Sequence, residues 1–150
     1  IGVCECATYE GQPAIELEAV VAADVEEAYP FAVAREGDRW VVHFSDTYRG
    51  VVDDLQRGAE TGLISAKFHN TIVAVVADVV SRVREKTGLE RVCLSGGVFQ
   101  NRYLCDQVVP ELEALGFEVY EQSAVPANDG GIALGQAAVA RARTTARNGA

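Results

Sequence analysis

Two glycine-bearing turns constrain this chain more than any other feature. The first, Ser95-Gly96-Gly97-Val98-Phe99-Gln100-Asn101, follows an apolar run at 91–94. The second, Asn128-Asp129-Gly130-Gly131-Ile132-Ala133-Leu134-Gly135-Gln136, opens the last helical stretch. Paired glycines between a strand and a helix let a backbone approach a phosphate or sugar closely. The helix N-terminus behind them offers free N–H groups and the positive end of a dipole. From residue 91 the order is strand, glycine turn, helix, strand, glycine turn, helix. That is the alternation of a parallel sheet flanked by helices. Ligands of such sheets bind beyond the carboxyl ends of the strands, where both turns fall. The second turn adds a carboxylate that could hold a cation. Together the turns predict a nucleotide site with a metal beside it.

Upstream, the pattern is helical and hairpin-like. Residues 1–9 read as a short strand and loop, which would place Cys4 and Cys6 on one face. Pro13 suits a first helical turn. Ala14, Leu17, Val21 and Val25 recur at helical spacing, so the chain reads as helix over 13–29, stopped by Pro30. Strand-like runs at 31–35 and 40–44 flank Glu36-Gly37-Asp38, which predicts a hairpin. Ser45 or Asp46 can cap a helix over 46–58. Ile64, Phe68, Ile72, Val75, Val76, Val79 and Val83 mark the buried face of the longest helix, 63–86. Beyond it come a strand at 91–94, a helix over 100–115 that Pro110 kinks or splits, and a strand at 117–120. A helix over 132–143 and a loose, disordered tail over 144–150 complete the pattern.

The chain's 150 residues, 49% of them hydrophobic, suffice for one domain with a proper core. A formal charge of −9 disfavours nucleic acid as the main partner, because phosphate neutralisation needs basic patches. It leaves a nucleotide pocket open, where backbone N–H groups and a metal do the neutralising. The longest apolar run, 72–80, is interrupted by Asp78 and falls short of a membrane span. With no basic leader at the start, the expected location is cytoplasmic. Met is absent throughout, so the chain reads as a fragment of a larger protein. The four cysteines lack the two-residue spacing of a structural zinc site. They read as reduced thiols, with Cys93 a small buried hydrophobe in its strand.

The string RVCLSGGVFQN at 91–101, followed by VPANDGGIALGQ at 125–136, closely resembles the HypF-type carbamoyltransferase of NiFe-hydrogenase maturation. The segments Thr8-Tyr9-Glu10-Gly11-Gln12-Pro13-Ala14 and Lys67-Phe68-His69-Asn70-Thr71 match it as well. The resemblance covers 1–143 and falls on the C-terminal part of the Kae1-like domain. It implies an α/β lobe of the actin-like, sugar-kinase-like superfamily, RNase H-like in its mainly parallel sheet flanked by helices. It also implies an enzyme that makes carbamoyl-adenylate from ATP and carbamoyl phosphate. The carbamoyl group then passes to the C-terminal cysteine of a partner maturation protein and becomes a cyanide ligand. Such proteins carry two metal-binding histidines three residues apart; His43 and His69 are too distant to be that pair. The divalent metal site, for Fe, Zn or Mg, is therefore only partial in this chain. Rival readings are an O-carbamoyltransferase, a tRNA threonylcarbamoyl-transferase-like enzyme, or a non-catalytic nucleotide-binding or partner-docking module.

Each candidate residue has a plain structural reading beside the functional one. Gly96 and Gly97 either admit the nucleotide or merely turn the chain. Asn101, about one turn into the helix, either reaches adenine or ribose or caps the helix. Asp129 either ligates the metal, as a hard oxygen donor, or caps; Asn128 competes for both roles, and Gly130 and Gly131 follow as nucleotide-binding candidates. Gly11 and Glu18 are ribose candidates in related folds, against acidic residues that only complement a helix dipole. His69 is a catalytic, substrate-pocket candidate that otherwise is a packed histidine. Partners expected of the whole are an adenine nucleotide, carbamoyl phosphate, the thiol-bearing maturation protein and the parent chain's remaining domains. The face meeting the missing lobe is expected to be exposed and apolar, which favours self-association.

Overall fold

A computed structural model describes residues 1–148. Helix α1 (Gln12–Ala19) leads into an irregular stretch, then a hairpin of β1 (Ala32–Glu36) and β2 (Arg39–His43). Helices α2 (Ser45–Gln56) and α3 (Thr61–Thr87) follow. Strand β3 (Arg91–Cys93), helix α4 (Arg102–Ala114), strand β4 (Glu118–Tyr120) and helix α5 (Ile132–Asn148) complete the order. Each glycine segment adds a short 3-10 turn, over Gly97–Gln100 and Asp129–Gly131.

Among the described residues, strands pair in two separate units. β1 and β2 run antiparallel, with Glu36 opposite Arg39 across the Gly37-Asp38 turn. β3 and β4 run parallel, Val92 opposite Val119, joined by α4 as the crossover. The expected mainly parallel sheet is thus a two-stranded parallel pair beside an antiparallel hairpin. The core lies where α3 and α4 cover the parallel pair. Ala77, Leu94, Val108, Leu112 and Phe117 are buried there, with Val73, Val76, Val80 and Val92 packed around them.

Several expectations are corrected. The first helix ends at Ala19, not 29. Beyond it, α3 captures the backbone instead: Asn70 Nδ2 donates to the carbonyls of Val25 and Glu27, and Thr71 Oγ1 accepts from the Tyr29 N–H at 2.8 Å. Residues 1–9 form no strand. Cys93 is exposed, because strand alternation that turns Val92 and Leu94 inward turns the residue between them out. Helix α4 runs unbroken through Pro110; the fully buried Val108 and Leu112 on either side of it hold the helix against the proline's local cost. The segment 144–148, expected to be loose, continues α5. The Thr144 and Thr145 hydroxyls donate to the Ala140 and Arg141 carbonyls, and no Gly or Pro interrupts before residue 149. Residues 149–150 lie outside the described part. Finally, α3 is long and apolar enough to cross a membrane by length and composition alone. Here it is the central packing helix, and its Ser65, His69 and Thr71 are buried with hydrogen-bond partners.

A polar cluster ties α2 to α3. Lys67 Nζ sits 2.5 Å from Asp54 Oδ2, which also accepts from the Tyr29 hydroxyl at 2.9 Å. The Lys67 hydrogen bond holds the Asp54 carboxyl below the usual carboxylate range. A depressed folded value stabilises the protein above the unfolded value near pH ~4, and that contribution is lost as pH falls through the folded one. Asp54→Ala should cost about 2 kcal/mol near neutral pH. Thermal melting of both proteins against pH should show the gap closing only on acidification below about pH 4.

Candidate functional site

The parallel pair brings the two glycine turns together. Leu94 N donates to Tyr120 O at 2.8 Å, extending the ladder to the strands' C-terminal ends. There the Gly96 N–H donates to the Ala127 carbonyl at 2.8 Å, and Gln122 Nε2 donates to Ser95 Oγ at 3.3 Å. Gly96 has φ 105° and ψ 161°, a region essentially reserved for glycine, so its identity follows from the turn itself. Gly97 differs. A Cβ built there meets nothing within 4 Å, and its backbone φ is not positive. The protein's own packing gives no reason for a glycine at 97.

The second turn is tighter. A Cβ at Gly130 would lie 2.9 Å from Pro126 Cγ, and one at Gly131 would lie 2.8 Å from the Pro126 carbonyl oxygen. Both glycines are therefore required by the approach of the Pro126 loop. Asn128 Oδ1 accepts from Gly130 N at 3.0 Å, so the capping role falls to Asn128. The Asp129 residue is exposed, and among the described residues nothing hydrogen-bonds to its carboxylate. It is one hard oxygen donor facing outward. No three His, Cys, Asp or Glu side chains gather into a metal cluster among the described residues.

A second group of candidates converges on the start of α4, directly after the first turn. Asn101 Oδ1 accepts from Leu104 N at 2.8 Å and caps α4. Its Nδ2 lies 3.0 Å from His69 Nε2. Because the oxygen is taken by a backbone N–H, the amide nitrogen faces the imidazole, and Nε2 accepts. The histidine is then the Nδ1–H tautomer, donating to the Ser65 carbonyl at 2.8 Å. Glu18 Oε1 accepts from Arg102 N and Tyr103 N at 2.7 and 3.2 Å. One carboxylate from α1 thus sits where a helix dipole favours negative charge. His69 is buried, 4% exposed. Gly11 stands apart: with φ 81° it enters α1, at the opposite end from Glu18, roughly 10 Å along the axis.

Cys105, one turn into α4, donates its thiol to the Phe99 carbonyl. Burial, then the Glu121, Asp106 and Glu18 charges, push that thiol up, which opposes thiolate chemistry there. Ser95, Gln122 and Tyr103 were not read from sequence as site residues. Ser95 and Gln122 each follow a strand end, and that shared position was the available signal. Tyr103 donates to Asn70 Oδ1 across 33 residues, and no local pattern marks it.

The profile of the family described as carbamoyltransferase, Kae1-like domain, second subdomain, matches residues 1–136. The chain belongs to this family. It is 33% identical over 137 residues to carbamoyltransferase HypF of Synechocystis sp., covering 91% of this chain and 17% of that protein. It is 37% identical over 135 residues to carbamoyltransferase HypF of Rhizobium leguminosarum bv. viciae, covering 89% of this chain and 17% of that protein. The chain therefore spans about a sixth of the length of these relatives. Its fold superposes with a TM-score of 0.88 and 46% identity on a crystal structure of full-length HypF in the phosphate- and nucleotide-bound form, over 93% of this chain and 18% of that one. The HypF structure from T. kodakarensis, at 24% identity and a TM-score of 0.74, covers 91% of this chain and 17% of that one, and shares the fold.

The α4 cap makes a stability prediction. Asn101→Ala removes the cap and leaves the His69 Nε2 acceptor without its partner. The expected loss is about 2 kcal/mol, measured by urea unfolding. A loss under about 0.5 kcal/mol, the scatter of ordinary surface substitutions, would show that neither bond matters.

Proposed function

We propose that this chain is one wall of a nucleotide site in a HypF-type carbamoyltransferase, the second lobe of an actin-like, sugar-kinase-like domain. The observation that carries this reading is the bond from the Gly96 N–H to the Ala127 carbonyl. It joins two glycine turns at the C-terminal edge of a parallel strand pair, the place where such sheets take ligands. Gly97 supports it, since a glycine with open space over its α-carbon leaves room for a ligand rather than for the protein. That one matched structure is described as nucleotide-bound agrees with it.

In the proposed reaction water releases carbamate and inorganic phosphate from carbamoyl phosphate. A carbamate oxygen then attacks the α-phosphorus of ATP, pyrophosphate leaves with the electron pair, and carbamoyl-adenylate forms. The thiolate of a partner protein's C-terminal cysteine attacks the carbamoyl carbon. A C–S bond forms, the C–O bond to the phosphate breaks, and AMP leaves with the electron pair. The product is the thiocarbamate that precedes the cyanide ligand of a hydrogenase. This chain's own work is to hold the adenylate against the two turns in a reactive orientation. The thiol comes from the partner: Cys105 is engaged and its thiol pushed up, and Cys93 faces away from the core. A divalent Fe, Zn or Mg ion, when bound, would polarise phosphate or carbamoyl oxygens. Asp129 is the residue here suited to hold it, and the other ligands would come from the longer protein, whose remaining domains are the proposed intramolecular partners. The exposed apolar side chains of α5 would favour self-association of the chain when those domains are missing.

Two substitutions test this in the intact protein. Gly97→Val puts bulk into the open space, where a Cβ meets nothing within 4 Å. Calorimetric affinity for ATP or ADP should fall more than tenfold, about 1.4 kcal/mol, at unchanged melting temperature. Unchanged affinity would remove Gly97 from the site. Asp129→Asn keeps the shape, leaves the Asn128 cap alone and removes the charge. Bound metal and carbamoyl transfer should both drop, with stability within about 1 kcal/mol. Full metal content in this variant would end the ligand assignment.

A further inference from the structure

The start of α4 is held from three directions, and one of the three holds is a histidine. His69 is the buried link. Its ring packs edge-on to Tyr103, 5.4 Å between centroids, and to Phe68 at 6.3 Å. Both ring nitrogens are engaged, one by the Ser65 carbonyl and one by the Asn101 amide. Asn101 in turn joins the first glycine turn to α4: its N–H donates to Val98 O at 3.1 Å in the turn, and its carbonyl accepts from Cys105 N at 3.2 Å in the helix. Nothing in this arrangement leaves a ring nitrogen free to touch substrate. The imidazole instead dictates which way the Asn101 amide faces.

We infer that His69 is a positioning residue: its neutral imidazole fixes the Asn101 amide, and through it the glycine turn at 96–100 that receives the nucleotide. This rests on the nucleotide reading proposed for that turn. The arrangement has a built-in conflict. A proton at Nε2 would set an N–H donor against the Asn101 amide hydrogens. Flipping the amide would relieve that contact, but it would turn the NH2 group onto the Leu104 N–H and lose the cap. Either way the junction between turn and helix loosens. The ionisable groups around the ring are Tyr103 from α4, Glu18 from α1, whose carboxylate sits on the next two N–H groups of α4, and Arg102 at the same helix end. Lys67 on the same helix as His69 is paired with Asp54.

The test uses a fluorescent ADP analogue titrated into the intact protein at a series of pH values from about pH 8 down to about pH 5.5. Wild type should lose affinity by about tenfold or more on acidification. His69→Gln places an acceptor near the position of Nε2 that cannot take up a proton. It should bind like wild type at the upper pH and hold its affinity at the lower. His69→Asn keeps a donor near Nδ1 and lacks the Nε2 acceptor; it should bind more than tenfold more weakly throughout. A wild-type pH profile in the Gln variant would overturn the proposal, as would full affinity in the Asn variant. Should the Asn variant fail to fold, the Gln profile alone decides. Hydrogen exchange at the Leu104 amide, without nucleotide and corrected for intrinsic rates, judges the relay separately. Protection lost at low pH in wild type and kept in the Gln variant supports it, and identical behaviour overturns it. A wild type that binds no adenine nucleotide at any pH would sink the functional reading, and the relay would stand or fall on Leu104.

Discussion

Helix α3 must bury two kinds of surface at once, and the rest of the molecule is arranged around that requirement. One stretch of it packs Val73, Val76, Ala77 and Val80 into the core over the parallel pair. The turns before that stretch carry Ser65, Lys67, His69, Asn70 and Thr71, whose polar groups reach α1, the 20–30 segment, α2 and α4. A buried polar side chain without a partner would cost more than its bond returns, so each of these groups constrains a neighbour. Among the described residues no buried side-chain nitrogen or oxygen is left without one. The helix therefore does more than fill space: it fixes the path of irregular backbone that has no ladder of its own.

The two glycine turns show how unlike neighbouring glycines can be. Gly96 answers to a backbone angle, and Gly130 and Gly131 answer to the closeness of Pro126. Gly97 answers to neither a backbone angle nor a close neighbour. Asn128 and Asp129 divide in the same manner. The amide caps the turn, which releases the neighbouring carboxylate from any structural duty.

Features governed by neighbours in sequence were legible from it. The hairpin follows from Gly37 and Asp38, α3 from its apolar period, and the meeting of the two turns from their places after successive strands. What could not be read depends on partners far along the chain. The first helix stops at Ala19 because Asn70 and Thr71, some 42–45 residues on, take over the backbone that helical spacing assigned to it. Glu18 looks like an ordinary acidic residue in a helix, but its partners are 84 and 85 positions away. Asn101 and His69 carry family-like motifs, and the motif alone is silent on the bond between them. Pro110 warned of a broken helix, and burial of Val108 and Leu112 overrode the local cost.

Helix α5 is the one long element that buries almost nothing. Ile132, Leu134 and Val139 are half exposed, at 53%, 57% and 50%, and among the described residues the helix makes its main contact with the body at its base, through the Asp129–Gly131 turn. Seventeen residues make a rod about 25 Å long. Its alanine-rich sequence supplies the stiffness that packing does not. A rod anchored at one end is mechanically a lever whose fulcrum is the capped turn. A small tilt there sweeps the far tip through several times the distance. Conversely, whatever grips the tip has a long arm through which to set the orientation of the carboxylate at 129.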